Sequence, residues 1–147
     1  MGIIDRFKTF AQDMADEVKK FANKDFMEAA CATSCLIAHA DGECDADEKM
    51  KTLEYMKMND SLKVFSQADI IKSFNELSEL YLFDPGMGKD KCFKLVEKMK
   101  NNPEAARACI RLGCVIGAAD GDFDKDEQAM VKILAGKVGL NANEFID

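Results

Sequence analysis

The chain has 147 residues, with 20 basic and 27 acidic side chains, and its formal charge of −7 counts against nucleic acid as a partner. Hydrophobic residues at 48 % and charged residues at 32 % describe a globular chain long enough for one sizeable core, not a disordered one. No stretch approaches the roughly 18 unbroken apolar residues of a membrane span, and no apolar core follows basic residues at the N-terminus, so the expectation is a cytoplasmic protein without a secretory signal.

The periodicity is helical almost throughout. Ile3, Phe7, Phe10, Met14, Val18 and Phe21 form one apolar stripe on a first helix. Over residues 1–20 its charges balance, whereas lipid-surface helices carry a basic polar face, so this helix is expected to pack on protein without inserting in a membrane. Asp25 with Glu28 reads as the start of a second helix. It is apolar nearly all round through Ala40 and is therefore expected at the centre. Asp41-Gly42 breaks it, and Asp45 to Glu48 restarts a helix running to about Lys57.

A short helical piece holds Leu62 and Phe65, and Ser66 to Asp69 opens the helix of Ile70, Phe74, Leu77 and Tyr81. Asp84-Pro85-Gly86 and Gly86 to Lys89 read as turns, the latter without the spacing of a phosphate loop. The helix of Phe93, Val96 and Met99 stops at Asn101-Asn102. Asn102-Pro103 caps the next, Asp120-Gly121 breaks it, and Asp124 to Glu127 restarts another that ends at Gly139. Asn141 to Glu144 caps one last turn. No segment alternates like a strand.

An internal repeat stands out. Ala40 to Glu48 matches Ala119 to Glu127 at an offset of 79, with Ala40, Asp41, Gly42, Asp45, Asp47 and Glu48 repeated identically. Cys35 meets Cys114 at the same offset. The expected fold is all-α: a compact domain over 1–147 of seven to nine helices. Helix-turn-helix units at about 25–58 and 103–138 would be related by an approximate two-fold. Two copies are too few for a solenoid.

The charge is concentrated in the repeat. Residues 41–48 carry −5 and residues 120–127 carry −4, which leaves +2 for the rest of the chain. Capping accounts for Asp45 and Asp124, with Glu48 and Glu127 closing capping boxes. Asp47 and Asp126 suit a helix N-terminal dipole. Capping leaves Asp41, Glu43, Asp120 and Asp122 without a reason beyond solvation. An EF-hand does not fit. Counted from Asp120, position 6 is Lys125 and position 12 is Val131; counted from Asp41, they are Ala46 and Thr52. Any ion site must use another geometry, and oxygen ligands suit calcium, magnesium or manganese.

The two Asp-Gly-x5-Glu elements resemble those of the TerB family of bacterial tellurite-resistance proteins. So do Leu62 to Phe65 and the run from Pro103-Glu-Ala-Ala106 into Ala119-Asp-Gly121. The resemblance extends over nearly the whole chain. It implies an all-helical domain with a non-enzymatic role in a tellurite and stress-response system. It also implies other Ter proteins as partners, including an integral membrane one, so that the protein is peripheral at the inner membrane through a partner. The acidic turns become the proposed ion site, and the matching acids are Asp41, Glu48, Asp120 and Glu127. Gln128 replaces the base that Lys49 provides in the first copy.

Because Asp41 and Asp120 end central helices, where a negative charge is unfavourable, a compensating cation is expected there. Asp41, Glu48, Asp120 and Glu127 form the expected centre, with Glu43 and Asp122 as outer ligands. No catalytic or cofactor-binding residue is assigned. His39 is the single histidine, and its repeat counterpart is Ala118, so a paired site does not require it. None of the six cysteines forms Cys-x-x-Cys, and most have helix-core spacing. Three functions compete: a cation- or partner-binding module, a thiol-dependent enzyme acting on a tellurium oxyanion, and a structural adaptor without an ion.

Overall fold

The helical periodicity is realised in the computed structural model, which describes residues 2–146, as seven α-helices and two short 3-10 helices. Met1 and Asp147, the outer bounds of the expected domain, lie outside the described residues. The α-helices are α1 (Ile3–Lys20), α2 (Lys24–Ala38), α3 (Ala46–Met58), α4 (Gln67–Phe83), α5 (Pro85–Glu97), α6 (Pro103–Gly117) and α7 (Lys125–Lys137). The 3-10 turns are Asp60–Val64 and Ala142–Glu144. Among the described residues there is no strand.

Short polar side chains start six of the seven α-helices, each accepting one of the backbone N–H groups that a helix N-terminus leaves unpaired. Asp45 accepts from Glu48, Ser66 from Asp69, Asn102 from Ala105 and Asp124 from Glu127. The second helix starts earlier than Asp25. Asn23 accepts from Phe26 at 2.9 Å, which moves Asp25 into the first turn, at the positive end of the dipole.

The expected turn at residues 84–89 is instead the start of α5. Asp84 accepts from Met87, and Pro85 takes the first helical position, where no N–H is needed. Gly88 serves packing there: a Cβ would stand 2.6 Å from the Cα of Tyr81 on α4. At its other end α5 stops at Glu97, short of Asn101. The chain leaves it through i→i−3 bonds from Met99, Lys100 and Asn102.

The repeat extends to the boundaries of the elements. α2 and α6 have 15 residues each, α3 and α7 have 13 each, and every end is displaced by 79 positions. Asn23 and Asn102 are equivalent caps, and Gly42 and Gly121 share a positive φ, 86° and 90°. Only glycine adopts that conformation without steric cost.

α2 and α6 pack against each other within one hydrophobic cluster, as the all-round apolar character of α2 requires. The approach is close. A Cβ on Gly113 would meet Thr33 Cγ2 at 2.4 Å, and the Thr33 hydroxyl bonds Cys109 Sγ at 3.3 Å. α1 lies on α6 and the 3-10 turn Asp60–Val64, burying Phe7, Met14 and Val18. The stripe of α1 therefore packs on the protein body, as its spacing predicts. No helix among the described residues is long and apolar enough to cross a membrane.

Candidate functional site

The two acidic turns line one cavity of about 320 Å³. The ends of α2 and α6 form its floor, with Ile37, Ala38, Ile116 and Gly117. One wall is Asp41 with Glu48 on α3; the other is Asp120, Asp122, Asp124 and Glu127. Of the six acids expected from sequence, five reach the cavity. Glu43 is exposed and does not line it.

Asp41 and Asp120 have a structural task that spacing did not reveal. The Glu43 N–H donates to Asp41 Oδ1 at 2.9 Å, and the Asp122 N–H donates to Asp120 Oδ1 at 3.0 Å. Each aspartate closes its own turn through a side-chain mimic of a backbone bond. That bond holds one oxygen of each carboxylate in place.

The two walls differ. Around α7 the capping box is complete: Glu127 N–H donates to Asp124 Oδ1 at 2.8 Å, and Asp124 N–H donates to Glu127 Oε1 at 2.9 Å. Around α3 Asp45 caps Glu48, but Glu48 is exposed and gives no reciprocal bond among the described residues. The expected pair of boxes is therefore a single one. An aromatic anchor accounts for the difference. Phe123 is 6 % exposed, edge-on to Phe7 with centroids 4.9 Å apart, and its carbonyl accepts from Gln128 Nε2. Cys44 occupies that position in the first copy and is half-buried.

Burial raises the Glu127 carboxyl to about 7, and repulsion from Asp124, Asp120 and Asp122 adds to it. The backbone bond from Asp124 acts in the opposite direction. The Glu48 carboxyl is also raised, by desolvation first and then by Asp45, Asp41 and Glu43; Lys51 opposes the rise.

Lys51 was not read as a site residue, yet it lines the cavity with Thr52 and Tyr55. The signal was available: 48, 51, 52 and 55 share one helix face. The repeat pointed away from it, because the equivalent of Lys51 is Met130. Ser34 was also missed. Its Oγ is buried at the cavity floor without a hydrogen-bond partner.

His39 lies elsewhere. Its ring is stacked on Tyr81, with centroids 4.2 Å apart and planes 14° from parallel, and it does not line the cavity.

Apart from the Lys51 ammonium, every polar side chain lining this space carries oxygen donors, which suits a hard divalent cation. In the geometry observed, no three acids, imidazoles or thiols among the described residues are gathered as a ligand set. The cavity thus concentrates negative charge without a preformed coordination sphere.

Comparison with known proteins matches the family described as Tellurite resistance protein TerB to residues 27–147. A relative named Tellurium resistance protein TerB, from Alcaligenes sp., is 32 % identical over 102 residues, 69 % of this chain and 84 % of the relative. No solved structure matches the chain.

Proposed function

The chain belongs to the TerB tellurite-resistance family, and from that premise we propose that it is a non-enzymatic binding protein whose two acidic turns jointly hold a divalent cation. The observation that carries this reading is the shared cavity. Two turns 79 residues apart set six carboxyl groups against one ammonium, that of Lys51. Their mutual repulsion is a cost of the ion-free state that calcium, magnesium or manganese would remove. Asp41, Glu48, Asp120 and Glu127 are the central ligands and Asp122 an outer one. Glu43 joins only if its turn swings inward. Because the side chains are not yet gathered, binding draws the two walls together and is weak to moderate.

The partners we assign are other Ter proteins, one of them integral to the membrane, and the location is the cytoplasm or the inner-membrane face through that partner. The thiol-enzyme alternative is disfavoured by burial, since Cys31, Cys35, Cys92, Cys109 and Cys114 are all inside. A catalytic thiol needs exposure to its substrate.

Calorimetry of the full chain with calcium, magnesium, manganese and zinc tests the proposal. A saturable heat with an oxygen-preferring cation is expected, together with a higher melting temperature. Asp41→Asn combined with Asp120→Asn should abolish both, while making the ion-free protein more stable. Silence of the parent chain toward every cation would overturn the reading in favour of an adaptor without an ion. An unchanged response of the double variant would leave the acids to solubility or a basic partner.

A further inference from the structure

We propose that the corner between α4 and α5 is a membrane-docking surface, which seats Leu82, Phe83 and Met87 in an anionic phospholipid bilayer beneath a row of lysines. This inference depends neither on the cation reading nor on the partners assigned above, and α1 has no part in it.

The apolar side chains protrude. Leu82 is 69 %, Phe83 82 % and Met87 51 % exposed. Single exposed apolar residues are ordinary, whereas several grouped at one corner mark an interaction surface. The corner is also stiff. Asp84 caps α5, Pro85 takes its first position, and the missing Cβ of Gly88 lets α5 close onto the backbone of Tyr81. A rigid knob loses little conformational freedom on docking. Side chains that stand this far out line no groove, so a flat, deformable surface fits them better than the ridge of a partner helix.

The charge beside the corner has the sign that an anionic surface requires. In a chain of net charge −7, residues 85–100 hold five lysines against Asp90 and Glu97, and all five are exposed. Met87, Lys91, Lys94 and Lys98 follow one another at spacings of four, three and four, so they share one helix face, and Asp90 and Glu97 fall outside that row. Lys98 pairs with Asp25 at 3.7 Å, whereas Lys89, Lys91 and Lys94 have no acidic partner among the described residues. Lysines grouped on one helix face beside apolar side chains are the pattern that anionic lipid attracts.

The dimensions agree. Interfacial segments bury their apolar face about 5–10 Å into the headgroup boundary. At a rise of about 1.5 Å per residue, Lys91 and Lys94 stand about 6 and 10 Å along the axis from Met87. With Met87 and Phe83 immersed, these two ammonium groups reach the phosphates. Docking of this kind needs no helix long enough to span.

The acidic turns point elsewhere. Tyr81 turns inward and stacks on His39, two residues before Asp41. Phe83 follows Tyr81 by two positions, about 200° round a helix axis, so it leaves α4 on the opposite side. α5 packs on α2, α4 and α7, and its exposed lysine row faces away from them. The molecule rests on this corner with the acidic cavity turned from the bilayer.

The chain contains no tryptophan, so Phe83→Trp gives the full chain one indole at the corner. Met58→Trp, at the exposed end of α3, is the control. Each variant is titrated with vesicles of phosphatidylcholine alone and of phosphatidylcholine and phosphatidylglycerol in equal parts. EDTA is present throughout, so that no divalent cation bridges the acidic turns to phosphate. The expected result is a blue shift and quenching by brominated lipid for Phe83→Trp, with the anionic vesicles only. Adding Lys91→Gln or Lys94→Gln should weaken that binding about fivefold each, and Leu82→Ser with Met87→Ser should abolish it. Absence of a shift, or an equal shift for Met58→Trp, would overturn the proposal. So would a shift that grows with protein concentration before vesicles are added, which assigns the corner to a second copy. A shift produced by poly-glutamate and not by vesicles would overturn it too, assigning the lysines to an acidic protein.

Discussion

Gly117 on α6 lies against the carboxylate of Glu127 on α7: a Cβ at Gly117 would stand 3.7 Å from Glu127 Oε2, 2.8 Å from Ile37 Cγ2 and 3.0 Å from Phe123 Cε1. The missing side chain makes room for the wall of the cavity. The equivalent residue in the first copy is Ala38, beside the exposed Glu48. Gly117→Ala should therefore lower stability, although alanine is the better helix former by about 1 kcal/mol. Overpacking against a branched side chain costs roughly 1–3 kcal/mol, which outweighs that gain. Urea denaturation reads the difference, and a more stable variant would contradict the packing argument.

Glu127 makes stability depend on pH in a defined direction. Its carboxyl is raised from 4.5 to about 7, so between those values the folded chain holds more protons than the unfolded one. Stability from this group is fully present below about pH 4.5 and is lost as pH rises through about 7. Glu127→Gln keeps an oxygen for the Asp124 N–H and cannot ionise. The variant should gain on the parent as pH rises from 5 to 8, by about 1 kcal/mol once solvent screening of this half-buried group is discounted. A stability difference that does not change with pH would reject the assignment.

The caps should separate charge from hydrogen bonding. Asp124→Ala loses the acceptor for Glu127 N–H and the geometry of the reciprocal bond, at about 1–2 kcal/mol. Asp124→Asn keeps the acceptor and should cost only a few tenths. Asp45→Ala should fall nearer 1 kcal/mol, since no reciprocal bond supports that cap. Thermal or chemical unfolding of the three variants decides the order.

Lys51 neutralises part of the cavity's charge. Lys51→Met installs the residue that the second copy carries at this position, Met130. The variant should bind a divalent cation severalfold more tightly, because no ammonium competes for the carboxylates. Calorimetry with the preferred cation provides the measurement, and equal or weaker affinity would remove Lys51 from the balance.

Much of this arrangement was legible in the sequence. Asp45, Ser66, Asn102 and Asp124 cap where their types and spacing place them, and Gly42 and Gly121 adopt the φ their position requires. The 79-residue offset recovers the bounds of four helices. What escaped was set by contacts across helices. Gly88 looks like turn punctuation until Tyr81 is seen behind it. Asn23 and Asp25 are equally good caps by type, and only the Phe26 bond distinguishes them. Two copies identical in their acids do not disclose that one wall is anchored by Phe123 on Phe7 while the other is not.

The anchoring of Phe123 has a consequence for amide exchange. The N–H groups of Glu43 and Asp122 donate to equivalent aspartate oxygens at nearly the same length, 2.9 and 3.0 Å, and both residues are exposed. Their hydrogen bonds are matched, so any difference in deuterium uptake reports the free energy of opening each turn. The turn of the Asp122 amide is tethered by its neighbour Phe123 on Phe7; the corresponding neighbour of the Glu43 amide is the half-buried Cys44. Each 1.4 kcal/mol of extra anchorage slows exchange about tenfold. Two protons in one molecule therefore form a differential gauge, and Phe7→Ala should erase the difference between them.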